Sequence, residues 1–210
     1  MVQADQPKLM KLLRSIADND RSAGVGLLAA SPMLATARLE VGATRQGSDV
    51  YFLEAIGHVL YAGETALHTS AAAYRSDIAR RLIKMGADVR AKNRRGAEPL
   101  HYAAVGGPGA DTWDPRSQVA TIACLIDAGA DPNAVDKSGV TPLHRAVRAR
   151  CAAAVAALLD RGADPHRRNG NGSTPTLLAG INTGRGGTGS PAAKLQQEKI
   201  VRLLAAALKG

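Results

Sequence analysis

The chain has 210 residues, of which 45% are apolar and 3% aromatic, so it is long enough to bury a sizeable core. It carries 27 Lys and Arg against 18 Asp and Glu, which gives a formal net charge of +9. This composition excludes a disordered chain, an apolar run of the roughly 18 residues that span a membrane and, with two cysteines, a disulfide framework. We therefore expect a globular protein of a reducing compartment with no membrane segment.

The N-terminal region predicts two amphipathic helices that cap the fold. The apolar residues of the first helix recur at spacings of three and four: Leu9, Leu12, Leu13 and Ile16. The second helix is predicted around Val25, Leu27 and Leu28. Residues 1–14 lack the apolar core and cleavage site of a signal peptide, so we expect a cytoplasmic protein, with export as an effector left open.

Residues 36–62 alternate apolar and polar side chains and contain Tyr51, Phe52 and Tyr61. This pattern predicts an enlarged β-hairpin loop with short strands. The net charge of the chain changes near residue 62, where this segment ends. Residues 1–62 carry six basic and six acidic side chains, whereas residues 63–210 carry 21 and 12, so the whole positive charge belongs to the second part.

From residue 63 onward the chain repeats. A six-residue motif that ends in Leu-His begins at Gly63, Gly96 and Gly139, and a partial copy begins at Gly172. A second landmark, Gly-Ala-Asp, follows the three full copies at 86–88, 129–131 and 162–164. The starts are separated by 33, 43 and 33 residues, and the longer interval is one period plus ten. This pattern resembles the ankyrin repeat, covering residues 63–210 well and residues 9–30 weakly.

The capping residues of each unit agree with this resemblance. Thr65 and Thr141 precede a predicted helix, where a hydroxyl accepts from the first unpaired amides. A proline at the first helical position follows in three units: Pro99, Pro142 and Pro175. A glycine at the C′ position ends the second helix of three units: Gly86, Gly129 and Gly162.

No unit covers its own apolar face, so the units must stack. The sequence predicts an all-α ankyrin-repeat solenoid of stacked helix-turn-helix units with hairpin-like loops, comprising about four repeats and a degenerate N-terminal capping unit. Residues 1–62 are predicted to form the cap and enlarged loop, and residues 63–210 the repeats. A closing helix is predicted from Ile200, Val201, Leu203, Leu204 and Leu208.

Two insertions, at about 107–117 and 181–193, interrupt the turn between the two helices of their units. We expect them to project from one edge as two lips around a notch. The glycine-rich stretch 184–190 has phosphate-loop spacing but lacks the lysine and the preceding strand. A sensor of a small molecule or phosphate ligand built on this stretch therefore stays an alternative, beside a plain surface loop.

Three histidines recur once per unit: His68, His101 and His144. They either form a line of bases or metal ligands, or, as the resemblance implies, bond the backbone of neighbouring loops. Cys151 either has a reactive, low-pKa thiol at a helix start or is a buried apolar residue. Neither pattern gives a positive signal for catalysis, a metal or a cofactor, so we predict a protein that is not an enzyme.

The resemblance implies that partners contact loop tips and the exposed side of the first helices. Carried over to this sequence, it gives ten candidate partner-binding residues: Arg75, Lys92, Arg94, Arg95, Tyr102, Trp113, Lys137, Arg145, Arg148 and Arg167. Their positive charge predicts an acidic partner. A protein is favoured over nucleic acid because aromatic residues that stack on bases are scarce. Solubility is the alternative role for the arginines, and pinning of the long insertion is the alternative role for Trp113.

We expect the protein to act as a non-catalytic interaction module or scaffold, with weak nucleic-acid binding as a further alternative. A monomer is favoured. The alanine- and arginine-rich usage is typical of a bacterial protein from a high-GC genome.

Overall fold

A computed structural model describes residues 5–44, 47, 49–108, 113–181 and 191–208 of the chain. The chain divides into two compact units, residues 1–99 and residues 100–210, which we call unit 1 and unit 2. The sequence predicts a different division, based on the repeat pattern, with residues 1–62 as the cap and enlarged loop and residues 63–210 as the repeats. That division stays a prediction.

The described part of unit 1 contains four helices, two short strands and three turns of 3₁₀ helix. The helices are α1 (Gln6–Ala17), α2 (Arg21–Ala30), α3 (Ala66–Ala72) and α4 (Ser76–Lys84), and the strands are β1 (Phe52–Leu53) and β2 (His58–Val59). The 3₁₀ turns are Pro32–Ala35, Asp49–Tyr51 and Glu54–Ile56.

Helix α1 packs against α2 and α3 and supplies much of the core of unit 1. Its four predicted apolar positions are all buried: Leu9, Leu12, Leu13 and Ile16. The predicted second helix is α2, which contains Val25, Leu27 and Leu28. Of these three, Leu28 is buried, Leu27 is half-buried and Val25 is exposed, so α2 buries a narrow stripe.

The segment between the cap and the first repeat, residues 36–62, forms the predicted hairpin and is called the connector below. Strands β1 and β2 pair antiparallel. The chain that follows β2 also bonds to residues 39–43. The main-chain N–H of Leu39 donates to the main-chain oxygen of Glu64 at 2.8 Å, and that of Ala43 donates to the main-chain oxygen of Leu60 at 2.9 Å. Residues 58–65 thus lie between two short extended stretches of the connector, residues 52–53 on one side and residues 39–43 on the other.

The described part of unit 2 contains the remaining helices. They are α5 (Pro99–Ala103), which begins at the last residue of unit 1, α6 (Pro115–Asp127), α7 (Pro142–Arg148), α8 (Ala152–Leu159), α9 (Pro175–Gly180) and α10 (Pro191–Ala207). Helix α8 packs against α6, α7 and α10, and α9 packs against α7 and α10. Each repeat contributes a first helix followed by a second, and the second helices contact one another.

The predicted caps are present in unit 2. The hydroxyl oxygens of Thr141 and Thr174 accept from main-chain N–H groups three residues on, and a proline starts each of these helices. The predicted closing helix is α10, which contains Ile200, Val201, Leu203 and Leu204 and ends one residue before Leu208. Ile200 and Leu204 are buried, whereas Val201 is exposed.

The predicted lips fall largely outside the described residues, since 109–112 and 182–190 are not among them. The glycine-rich stretch 184–190 lies wholly in the second of these gaps. No helix within the described ranges is both long and apolar enough to cross a membrane.

Candidate functional site

The repeated histidines bond the backbone. The Nε2–H of His68 donates to the oxygen of Ala97 at 3.1 Å, 29 residues further on. His144 makes the same bond to Ser173 at 3.0 Å, again 29 residues on. On the other side of each ring, Nδ1 accepts from the main chain of the preceding threonine, Thr65 or Thr141. Each imidazole thus needs one ring nitrogen protonated and the other bare, which is the neutral form.

Burial adds to this requirement. It lowers the pKa of His68 to about 4, and it also lowers the pKa of His144. No group of three metal-binding side chains occurs among the described residues. The histidines therefore act as structural ties, which is the second of the two roles weighed from the sequence.

An Asn or Asp side chain also recurs with the period, three residues before the glycine that starts each repeat. It lies at the tip of the hairpin-like loop that joins one repeat to the next. The Oδ1 atom of Asn93 accepts from the N–H groups two and four residues on, at 2.9 and 3.1 Å. Asp136 and Asn169 form the same tight turn in the two later hairpins. The hairpin tips are thus rigid supports for the residues that they carry.

Two segments match family models: residues 62–94 match "Ankyrin repeat", and residues 125–179 match "Ankyrin repeats (many copies)". These units are ankyrin repeats. The predicted family and the all-α ankyrin-repeat fold class are thereby confirmed. Ankyrin repeats are generally protein–protein interaction modules, which supports the predicted role as an interaction module.

One relative is Notch-regulated ankyrin repeat-containing protein A of Danio rerio, 47% identical over 45 residues. The match spans 21% of this chain and 40% of that relative. It supports the presence of ankyrin repeats here and reaches no further into either protein.

Two of the predicted binding residues of unit 1, Arg75 and Lys92, are drawn partly into the fold. Arg75 is half-buried at the start of α4, and its Nε atom is buried without a hydrogen-bond partner among the described residues. Lys92 lies 3.7 Å from a carboxylate oxygen of Glu98, a buried residue at the position where other repeats have threonine. The charge of Lys92 is therefore partly neutralised within unit 1.

The hairpin-tip residues Arg94 and Arg95 pack on the connector. Both guanidinium groups lie over the ring of Tyr61, at 5.1 and 5.0 Å from its centroid. Arg94 also donates to the main-chain oxygen of Ala43, and Arg95 donates to the hydroxyl of Tyr61 at 3.0 Å. Sequence reasoning treated these arginines as free loop tips and missed their contact with the connector.

Arg145 of α7 is ion-paired. Its guanidinium lies 3.0 Å from a carboxylate oxygen of Asp136, and the two side chains are only 17% and 10% exposed. Burial opposes ionisation of Asp136, but the Arg145 hydrogen bond and two main-chain donors outweigh it and lower the pKa of this carboxyl. Arg145 also stacks at 5.2 Å on Tyr102, which is buried. The pair leaves little charge for a partner.

The remaining cations of the predicted set are exposed in unit 2: Lys137, Arg148 and Arg167. Within the described ranges none of them forms an ion pair with a carboxylate. Arg148 ends α7, one helical turn after His144, and Arg167 lies in the loop that leads to Ser173, the partner of that histidine. Burial is the main cause of the lowered pKa of His144, and the charges of Arg148 and Arg167 also lower it, so both arginines lie near this histidine.

Trp113 lies inside unit 2, in the last described part of the insertion. Its indole N–H donates to the side-chain oxygen of Gln118 at 3.1 Å, and Gln118 in turn donates to the oxygen of Ala103 at 3.0 Å. A Cβ added to Gly106 would lie 2.6 Å from the indole nitrogen, which shows how closely the ring packs there. This geometry is that of a structural pin, and partner binding by Trp113 stays a prediction.

The reactive alternative for Cys151 was wrong. Its side chain is fully buried, and burial raises the pKa of its thiol to about 12. Cys124 is buried as well. The thiols are therefore apolar packing residues of unit 2.

Sequence reasoning also missed a buried hydrogen-bonded pair in unit 1, between His58 and Glu64. Nε2 of His58, on β2, lies 2.8 Å from one oxygen of the fully buried Glu64, and Asn93 donates to the other oxygen at 3.0 Å. Burial alone would raise the pKa of Glu64, but the hydrogen bond and charge of His58 outweigh it and lower that pKa. This pair fastens the connector to the first repeat. The only sequence signal is a carboxylate between Gly63 and the capping threonine.

Proposed function

We propose that this chain is a non-catalytic interaction module whose unit 2 binds a macromolecular partner with an acidic surface. The observation that carries the proposal is the pair Arg148 and Arg167, which are exposed, lack carboxylate partners among the described residues and lie on the chain segments that flank the His144–Ser173 bond. Lys137 extends this basic surface at the neighbouring hairpin tip.

The surroundings of Arg148 support a protein partner. Residues at the same position of the neighbouring repeats are Val105 and Ile181, which are 42% and 45% exposed. Arg148 is thus preceded and followed along the repeat series by exposed apolar side chains. A segment that pairs an acidic residue with apolar neighbours would match this order, because apolar contact adds affinity where a surface charge alone contributes little.

Other arginines of unit 2 are ion-paired within the fold, in contrast to Arg148 and Arg167. Arg145 is held by Asp136, and Arg161 is paired with Asp127 at 2.5 Å, so these arginines serve the fold. Charges left without local partners repel one another weakly and accelerate encounter with an opposite charge. Binding by Arg148 and Arg167 should therefore weaken as salt is raised.

The test compares two double charge reversals in affinity capture from the source cell. Arg148→Glu with Arg167→Glu removes the proposed surface. Lys199→Glu with Arg202→Glu, at two exposed positions of α10, changes the net charge equally. Arg94 is left unchanged because its side chain holds the connector.

The proposal expects an acidic protein that is captured by the wild-type chain and the α10 variant, is lost in the Arg148/Arg167 variant and elutes at raised salt. Reversal of acidic residues on that protein should restore its binding to the Arg148/Arg167 variant. Equal capture by both double variants would contradict the assignment.

A further inference from the structure

The hairpin tip of unit 1 carries two consecutive arginines, Arg94 and Arg95, that share one tyrosine ring. The guanidinium carbons of Arg94 and Arg95 lie 5.1 and 5.0 Å from the same Tyr61 ring centroid, so they are at most about 10 Å apart. Both side chains are exposed, and neither pairs with a carboxylate among the described residues. Two like charges therefore share one tyrosine ring, with no counter-charge paired to either within the described ranges.

The neighbouring cations differ in this respect. Arg38 lies 3.4 Å from a carboxylate oxygen of Asp88, and Lys92 lies 3.7 Å from Glu98. The acidic side chains of this hairpin are thus occupied by other cations. Of the cations along residues 92–95, Arg94 and Arg95 are thus the two without a carboxylate partner among the described residues.

The tip is also preorganised. The main-chain N–H of Arg94 donates to the oxygen of Ala62 at 2.7 Å, and the Asn93 side chain fixes the turn by accepting from Arg95. The hydroxyl oxygen of Tyr61 accepts from Arg95, which leaves the hydroxyl hydrogen to donate outward. A ligand would find two guanidinium groups and one hydroxyl donor already in place, so little ordering entropy is lost on binding.

We propose that Arg94, Arg95 and Tyr61 form a binding site for a phosphoryl group, which we call the diarginine site. A phosphate monoester carries a charge of about −1.5 to −2 and three strong acceptor oxygens, which match two guanidinium groups and a hydroxyl. A carboxylate would neutralise only one of the two arginines. The proposal concerns unit 1 and does not depend on the partner surface proposed for unit 2.

The experiment is a titration of the isotope-labelled full-length chain, followed by NMR at constant ionic strength and above the second phosphate pKa of about 6. The probes are inorganic phosphate and the tripeptide glycine–phosphoserine–glycine, with glycine–glutamate–glycine as the carboxylate comparison. Saturable shifts of the Arg94 and Arg95 amides are expected with the phosphorylated probes. Tighter binding of the tripeptide assigns the site to phosphorylated chains, and tighter binding of inorganic phosphate assigns it to free phosphorylated molecules.

Three variants locate the site. Arg95→Gln should raise the Kd for the better probe at least about tenfold, because it removes one charged, bidentate donor. Tyr61→Phe keeps the ring beneath both arginines and should raise the Kd about threefold through loss of the hydroxyl. Arg81→Gln removes the same charge from an exposed position on α4 and should leave the Kd unchanged.

Absence of saturable binding by both phosphorylated probes at millimolar concentration would overturn the proposal. So would an Arg81→Gln effect as large as that of Arg95→Gln, or equal affinity for the glutamate tripeptide. If Arg95→Gln lowers the melting temperature strongly, the Tyr61→Phe titration decides, since it removes only one hydroxyl.

Discussion

The imidazole of His101 donates to the main-chain oxygen of Val140 at 3.0 Å, 39 residues along the chain. The equivalent bonds of His68 and His144 span 29 residues each. The difference of ten residues equals the surplus in the interval between the second and third repeat starts. The insertion therefore lengthens the chain between His101 and Val140 without breaking the tie between them.

The neutral state required of His68 predicts a pH-dependent stability. Its folded pKa of about 4 lies below the ordinary histidine value of 6.5, so the unfolded chain binds the proton more readily between these two pH values. The contribution is complete above pH 6.5 and is lost as the pH falls towards 4, amounting to about 3 kcal/mol. Urea unfolding at several pH values measures this slope. In His68→Gln the slope should be visibly smaller, and an unchanged slope would refute the assignment to His68.

Gly139 lies where two hairpins approach each other. Its φ is +69°, and an added Cβ would lie 2.7 Å from the main-chain nitrogen of Gly170. Gly172 has a similar φ of +77° but open space around that position. Gly172→Ala should cost about 1–2 kcal/mol through backbone strain alone, and Gly139→Ala should cost clearly more because the backbones must separate. Equal losses in chemical denaturation would show that the close approach is unimportant.

Arg145 and Arg148 lie on the same helix but have different predicted roles. Arg145→Gln should destabilise the chain by roughly 1–3 kcal/mol, because it leaves the half-buried carboxylate of Asp136 without its partner. Arg148→Gln should change stability by less than about 0.5 kcal/mol, since that side chain is exposed. Thermal melts of the two variants check this ordering. The reverse ordering would mean that the exposed arginine supports the fold.

Gln118 is predicted to hold the insertion through Trp113. Gln118→Leu leaves both the indole N–H and the oxygen of Ala103 unpaired, at a cost of roughly 1–3 kcal/mol. Because the chain contains one tryptophan, its fluorescence should also shift towards that of a more solvated indole. A variant with wild-type stability and an unchanged emission spectrum would argue against the pin.

Features of the fold that recur once per repeat could be predicted from the sequence, because the same residue types return at the same positions. Thr141 and His144 illustrate this: their spacing already implies the cap, and the resemblance implies the backbone bond. The pairing of Arg145 with Asp136 could not be predicted, since it depends on a hairpin folding back on the following helix. The contact of Arg95 with Tyr61 joins a repeat to a connector without any period. These pairings decide which arginines remain available for a partner.

If the exposed arginines of unit 2 carry partner binding, a titration of the captured, purified partner shows it most directly. The variants are Arg148→Glu/Arg167→Glu and Lys199→Glu/Arg202→Glu, each measured at low and raised salt. We expect at least about a hundredfold loss of affinity for the first variant at low salt, and a small loss for the second. Equal losses, or a wild-type affinity that does not change with salt, would show that these arginines do not carry binding.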